Sequence, residues 1–286
     1  MRPPFTFAVV GHDEAETLPY AISMAKAAAE PGDAVWFVDS ASTDPSAEVA
    51  RSQGIEVVAA PLGKGRAMQV AINRCRDGYI CFIDADYEYS EYNIPAKLRE
   101  AADSGAYDMV VGAFDEPTRR RTLTPALYVP LVRCLFPEVE TAAELVPLSG
   151  FRVLRVGFDA GRLPAGYGVE TYLNIESTLR SGRVSVCPVG LFQGNLRGYR
   201  NVVEVGKDVC DAILDLAIVH DRIGREDRSA WDAWVGAILD VIESQPPVGA
   251  PDIEFLARLR QAAESPMPRI RQLERRANPR STGMPI

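Results

Sequence analysis

Three places in the chain put charged side chains where they could do chemistry. The first is Asp84-Ala85-Asp86, which closes the apolar run Tyr79-Ile80-Cys81-Phe82-Ile83. Two carboxylates one residue apart at the end of a buried strand repel each other and lose hydration, so something must offset their charge. A hard divalent cation does this, because Mg²⁺ or Mn²⁺ takes carboxylate oxygens and bridges them to phosphates. The plain alternative is a turn with two solvated aspartates. The second place is Gly63-Lys64-Gly65. Entering a helix, it offers backbone N–H groups, the positive end of the helix dipole and an ammonium, a set suited to a diphosphate. It is not the G-x-x-x-x-G-K-[ST] loop, whose spacing is absent, and alone it is equally a turn. Followed 20 residues after Lys64 by Asp84, it becomes half of a cation-assisted diphosphate site. The third is Gly166-Tyr167-Gly168-Val169-Glu170. Its carboxylate either accepts bonds from a ligand's hydroxyls or simply favours the dipole of a helix start.

Such groups need a scaffold that brings separate turns to one place. Apolar runs at 5–10, 34–38, 55–59 and 79–83 alternate with helical spacing at 14–30, 47–53 and 65–75. Gly11, Pro31-Gly32 and Ser42-Thr43-Asp44-Pro45 punctuate them as turn and helix-start residues do. Repeated strand–helix–strand units predict an α/β protein, its parallel sheet covered by helices on both faces. Ligands of such sheets lie beyond the carboxyl ends of the strands. That places His12-Asp13-Glu14, Asp39-Ser40 and Asp84-Ala85-Asp86 along one edge. Further on, helical spacing covers 119–144, 169–180, 202–223 and 229–244, with strands within 146–156 and at 184–189. Pro246-Pro247 breaks the pattern, and Pro266, Pro268 and Pro279 among basic residues predict a flexible tail over 266–286.

The chain has 286 residues, room for one large domain or two small ones. With 47% hydrophobic and 24% charged residues it is neither disordered nor fibrous. A net charge of −8 repels polyanions, so no nucleic-acid partner is expected. No apolar run approaches the ~18–20 residues that span a bilayer, and MRPPFTFAVV lacks the apolar core of a signal peptide. No membrane partner is expected either. Cys75, Cys81, Cys134, Cys187 and Cys210 are scattered, without C-x-x-C. They read as core residues in a reducing compartment, and the expected location is the cytoplasm.

In order and spacing, the 9–14 turn, Asp39-Ser40-Ala41-Ser42-Thr43-Asp44, Gly63-Lys64-Gly65 and Asp84-Ala85-Asp86 resemble the nucleotide-sugar-dependent glycosyltransferases of the GT-A fold. Leu145-Val146-Pro147-Leu148-Ser149-Gly150 and Leu163-Pro164-Ala165-Gly166-Tyr167-Gly168-Val169-Glu170 narrow this to the glucosyl-3-phosphoglycerate synthases, over about residues 5–220. The resemblance implies a GT-A domain over 1–225, followed by C-terminal helices over 226–265 and the tail. Within that domain, 1–115 is a nucleotide-sugar-binding half with a mixed central sheet, and 116–225 an acceptor half. The implied activity is retaining transfer of a hexose from a nucleotide diphosphate sugar, foremost a UDP-sugar, to a small hydroxylated acceptor. Mg²⁺ or Mn²⁺ is the implied cofactor, and a homodimer is compatible with the resemblance. By position, Val10, Asp13, Glu14, Asp39 and Ser40 would hold the nucleoside and Lys64 the diphosphate. Asp84 and Ala85 would face the ribose and sugar, and Asp86 the metal. Tyr167, Gly168 and Glu170 would wall the transferred sugar. Asp84, Asp86 and Glu170 are the implied catalytic residues.

The departures fall at the acceptor end. A metal-binding His of that family sits in an Ala-His-Arg-Asn run, where this chain has Gln193-Gly194-Asn195-Leu196. Asn195 or Gln193 is the replacement oxygen ligand, Asn195 being the first choice, unless the metal has fewer protein ligands. The acceptor-phosphate loop, Gly-Arg-Val-Thr in the family, aligns with Arg121-Thr122-Leu123-Thr124, and the phosphate-contacting Asn becomes Leu196. An acceptor other than 3-phosphoglycerate, nucleoside-like or a polyol, is therefore a second reading. An inverting enzyme on polyprenyl phosphate and an inactive nucleotide-binding scaffold are two more.

Overall fold

The computed structural model describes residues 3–115, 123–139, 148–157, 161–180, 183–194, 202–244, 253–263 and 267–268. Its strands are β1 Phe5–Gly11, β2 Ala34–Ser40, β3 Glu56–Ala60, β4 Tyr79–Asp84, β5 Tyr87–Ser90, β6 Met109–Asp115, β7 Arg152–Arg155 and β8 Val184–Gly194. They run β3-β2-β1-β4-β7-β6-β8-β5 across one sheet. The four expected strands, β1 to β4, pair parallel. The sheet becomes mixed at β7, antiparallel to both β4 and β6, while β8 runs parallel to β6 and β5 antiparallel to β8. The helices are α1 Leu18–Ala28, α2 Ser46–Ser52, α3 Lys64–Arg74, α4 Ile94–Asp103 and α5 Val129–Leu135, then α6 Val169–Arg180, α7 Val202–Val219, α8 Arg228–Glu243 and α9 Ile253–Ala263. A π-helical turn, Thr124–Tyr128, leads into α5. The helical stretch expected over 119–144 is described only between 123 and 139, and most of the tail lies outside the described residues.

The apolar run of β1 reflects burial on both faces, the usual state of a central parallel strand. Alternate side chains point to opposite sides. Phe5, Phe7 and Val9 pack with Leu18 and Ile22 of α1 and Leu98 of α4. Ala8 and Val10 pack on the other face with Ala67 and Met68 of α3 and Leu173 of α6. From β1 the chain goes out to β2 on one side and returns to β4 on the other. This reversal of strand order opens a crevice at the carboxyl ends of β1 and β4, the usual ligand position of the class.

A separate apolar cluster joins Ile213 and Leu214 of α7, Trp231 and Ile238 of α8 and Phe255 of α9 to Leu127, Leu131 and Phe136. The helices after residue 226 thus share a core with 123–139, and they hold α7 against the crevice. Among the described residues, no helix is long and apolar enough to cross a membrane.

Candidate active site

The ends of β1, β2 and β4 meet the 164–168 loop and α7 around a cleft of about 620 Å³. Of the expected residues, Val10, Glu14, Ser40, Lys64, Asp84, Ala85, Asp86 and Tyr167 line it. His12, Arg66, Glu204 and Asp208 line it as well. Asp13, Asp39, Gly168 and Glu170 do not; they build the cleft from behind.

Asp13 and Asp39 hold the 42–44 turn. Asp13 has φ 56°, and its carboxylate accepts the N–H groups of Thr43 (2.6 Å) and Asp44 (3.1 Å). Those bonds, Thr43 first, hold its pKa below the usual carboxylate range. Asp39 Oδ1 accepts the Ser42 N–H at 2.9 Å. Ser40 fixes the next loop, its Oγ accepting the Gly63 N–H at 2.9 Å, while His12 Nδ1 lies 3.0 Å from the Ser40 carbonyl. Gly11 lets β1 approach the Asp84 turn, since a Cβ there would sit 2.6 Å from the Ala85 Cβ.

The chemistry centres on an ion cluster. Lys64 Nζ lies 2.8 Å from Asp84 Oδ1 and 2.6 Å from Glu170 Oε1. Burial alone would lower the ammonium's pKa, but Asp84 and then Glu170 outweigh it and raise the pKa, so Lys64 stays charged. Glu170, only 4% exposed at its side chain, is thus committed to Lys64 and stands behind the cleft wall, where a place facing the sugar was expected. Among the described residues, Asp86 has no such cation to itself. Burial, then Asp84 and Glu14, push its pKa up to about 7 against the opposing pull of Lys64.

Two backbone N–H groups in and beside the Gly-Lys-Gly motif are already taken. The Gly63 N–H is used by Ser40 and the Arg66 N–H by the Ala165 carbonyl at 3.2 Å. The glycines serve the 164–168 loop: Cβ atoms at Gly63 and Gly65 would sit 2.5 Å from the Ala165 carbonyl oxygen and 1.8 Å from that of Pro164. The loop's other side rests on α7, where Asp208 accepts the Tyr167 N–H at 2.8 Å and a Gly168 Cβ would meet the Asp208 carbonyl oxygen at 2.5 Å. Gly65→Ala is therefore expected to cost about 1–3 kcal/mol by overpacking. A calorimetric Tm several degrees lower checks this; an unchanged Tm contradicts the packing.

The residues fit a hard divalent cation. A desolvated Asp86 carboxylate in the cleft, with the nearby ammonium already shared by Asp84 and Glu170, is left to be neutralised by something else. Among the described residues no three His, Cys, Asp or Glu converge on one metal position. This suits a cation that keeps several water or phosphate oxygens, as Mg²⁺ does. Asn195, Arg119, Arg120, Arg121, Thr122 and Leu196 lie outside the described residues, as does the side chain of Gln193.

Residues 6–142 match the model of glycosyl transferase family 2. Solved structures share the fold. Glucosyl-3-phosphoglycerate synthase from Mycobacterium tuberculosis, in complex with Mn²⁺, UDP-glucose and phosphoglyceric acid, is 21% identical with a TM-score of 0.66, covering 74% of this chain and 79% of that one. The same enzyme with Mn²⁺, UDP-glucose and glycerol 3-phosphate gives 22%, 0.65, 74% and 79%. Mannosyl-3-phosphoglycerate synthase from Rubrobacter xylanophilus is 24% identical with a TM-score of 0.66, covering 76% and 74%. A search of curated sequences finds no match. The GT-A fold stands, and residues 6–142 resemble glycosyl transferase family 2.

Proposed function

We propose that the chain is a cation-dependent glycosyltransferase that moves a hexose from a nucleotide diphosphate sugar, foremost a UDP-sugar, to a small hydroxylated acceptor with retention of configuration. The observation that carries this is Asp86, a desolvated carboxylate in the cleft whose local cation is already paired. Bound there, Mg²⁺ or Mn²⁺ supplies Lewis-acid stabilisation of the departing diphosphate. Val10, Glu14 and Ser40 line the nucleoside end, and Lys64 adds preorganised positive charge for the diphosphate. Tyr167 flanks the sugar.

Retention follows from the resemblance. A front-face route is favoured over a glycosyl-enzyme because Glu170, the acidic side chain nearest in sequence to the sugar wall, is held by Lys64 and is not free to attack the anomeric carbon. The acceptor hydroxyl then attacks on the side the diphosphate leaves and passes its proton to a diphosphate oxygen. Glu170→Gln removes one of the two charges that seat Lys64. It is expected to lower turnover at least about tenfold by leaving the ammonium less fixed against the departing diphosphate. Nucleoside diphosphate affinity should stay within about threefold, since Asp84 still holds Lys64. Loss of nucleoside diphosphate binding would make Glu170 a donor-site residue instead.

A second feature selects among acceptors. Glu204 and Asp208 of α7 line the cleft beside Tyr167, and carboxylates there disfavour a phosphorylated anion. A neutral polyol or nucleoside-like acceptor fits better. Mass spectrometry of products from a panel of nucleotide sugars and acceptors, with Mn²⁺ or with chelator, tests both points. The expected result is Mn²⁺-dependent hexosylation, with 3-phosphoglycerate at least about tenfold poorer than the best acceptor. Efficient use of 3-phosphoglycerate would overturn the acceptor assignment. No transfer or donor hydrolysis with any pair would leave a nucleotide-binding scaffold.

A further inference from the structure

We propose that Arg152 is a positioning residue for the cleft, fixing Lys64 by tying together the two segments that present its carboxylate partners. The inference rests on Lys64 being the diphosphate residue of the function proposed above. Arg152 lies on β7, fully buried, opposite Phe82 of β4. Its guanidinium donates to the Ser149 carbonyl, and to the Glu170 carbonyl and Asn174 Oδ1 at 3.3 Å each. Ser149 adjoins Gly150, which lies flat under Asp84: a Cβ on Gly150 would sit 2.1 Å from Asp84 Oδ2. Glu170 opens α6. One side chain thus joins the floor beneath Asp84 to the helix turn that aims Glu170, and Lys64 bridges the same two residues from the cleft side.

The charges match the geometry. Asp84 and Glu170 pair with Lys64 in the cleft, and both also act electrostatically on the buried Arg152 guanidinium. Burial pulls the Arg152 pKa down, and Glu170 and then Asp84 act to hold it up. The neighbouring strand positions, Val153 and Leu154, are apolar and equally buried. Packing alone asks for another apolar residue at 152, because a buried guanidinium gains little stability over a well-packed hydrophobic side chain. What Arg provides is a planar, multi-donor fork that reaches three acceptors at once.

The test reads Lys64 directly. An amine-acylating reagent, with modified lysines mapped by mass spectrometry, is applied to wild type, Arg152→Met and Arg152→Lys. UDP binding is measured by calorimetry in each, and for Arg152→Met also in a Lys64→Ala background. Freed from its two-carboxylate seat, Lys64 in Arg152→Met should label about fivefold faster relative to Lys26 and Lys97, with UDP binding at least about tenfold weaker. Arg152→Lys, which cannot span all three acceptors, should label at least about twofold faster than wild type. In the Lys64→Ala background Arg152→Met should weaken UDP binding by less than about twofold further, because the two residues act through one another. Unchanged Lys64 labelling overturns the proposal, read in Arg152→Lys should Arg152→Met not fold. So does a fully additive loss of UDP binding. If wild type binds no UDP while Lys64 labelling still responds, the clamp stands and the nucleotide-sugar function falls.

Discussion

Asp86→Ala is expected to abolish sugar transfer, by about 1000-fold or more, because it removes the carboxylate on which the proposed leaving-group cation depends. The same change leaves the fold intact. Asp86 borders the cleft and belongs to none of the apolar clusters, so its loss opens no cavity in the core. Its ionised form is also unfavourable in the metal-free protein, as the pKa of about 7 shows. Removing a carboxylate whose folded pKa lies above its unfolded value relieves a cost that is full above pH 7 and absent below the ordinary carboxylate pKa. The metal-free variant should therefore melt at or above the wild-type temperature at pH 8, with the difference shrinking towards pH 4. Transfer assays with Mn²⁺ and thermal melts by circular dichroism check the two parts. Near wild-type activity contradicts the metal assignment, and a collapsed Tm makes Asp86 a structural residue.

Lys64→Ala should weaken nucleoside diphosphate binding about 10- to 100-fold while altering free nucleoside binding less than about threefold. The ammonium lies 2.8 Å from Asp84 and 2.6 Å from Glu170, so its removal does more than delete a phosphate contact. It leaves two carboxylates beside the place where the diphosphate must sit, and their repulsion adds to the lost attraction. The proposed nucleoside end, framed by Val10, Glu14 and Ser40, keeps its own hydrogen bonds, Glu14 N–H to Ser46 Oγ and Gly63 N–H to Ser40 Oγ. Calorimetric titration with UDP and with uridine separates the two ends. Equal losses for both ligands would move Lys64 out of the diphosphate site.

The parallel strands were legible because doubly buried strands read as unbroken apolar runs, and β1 and β4 are such runs ending in polar residues. β5 was not, because its four residues are defined by pairing with β8, about 100 positions later in the chain. The same distance effect hid the reason for Gly63 and Gly65, which are dictated by carbonyls at 164 and 165. Asp13 and Asp39 show a different limit. A carboxylate just after a strand has the same local pattern whether it accepts bonds from a ligand or from a turn, and only the turn's geometry decides. Glu204 and Asp208, four apart on α7, carry the signature of a solvated helix face. Their place on the cleft wall depends on how α7 docks through the Ile213 and Trp231 cluster. Arg152 adjoined a quoted motif, yet its burial was invisible in an Arg-Val-Leu-Arg strand.

The central claim is that this cleft holds a divalent cation and a nucleotide diphosphate together. A crystal structure of the protein soaked with UDP and Mn²⁺, with anomalous data for manganese, tests it most directly. The predicted result is an anomalous peak bonded to the Asp86 carboxylate, with the diphosphate between that peak and Lys64 and the nucleoside against Val10, Glu14 and Ser40. Manganese or UDP bound elsewhere, with the Asp86 side of the cleft empty, would contradict the account.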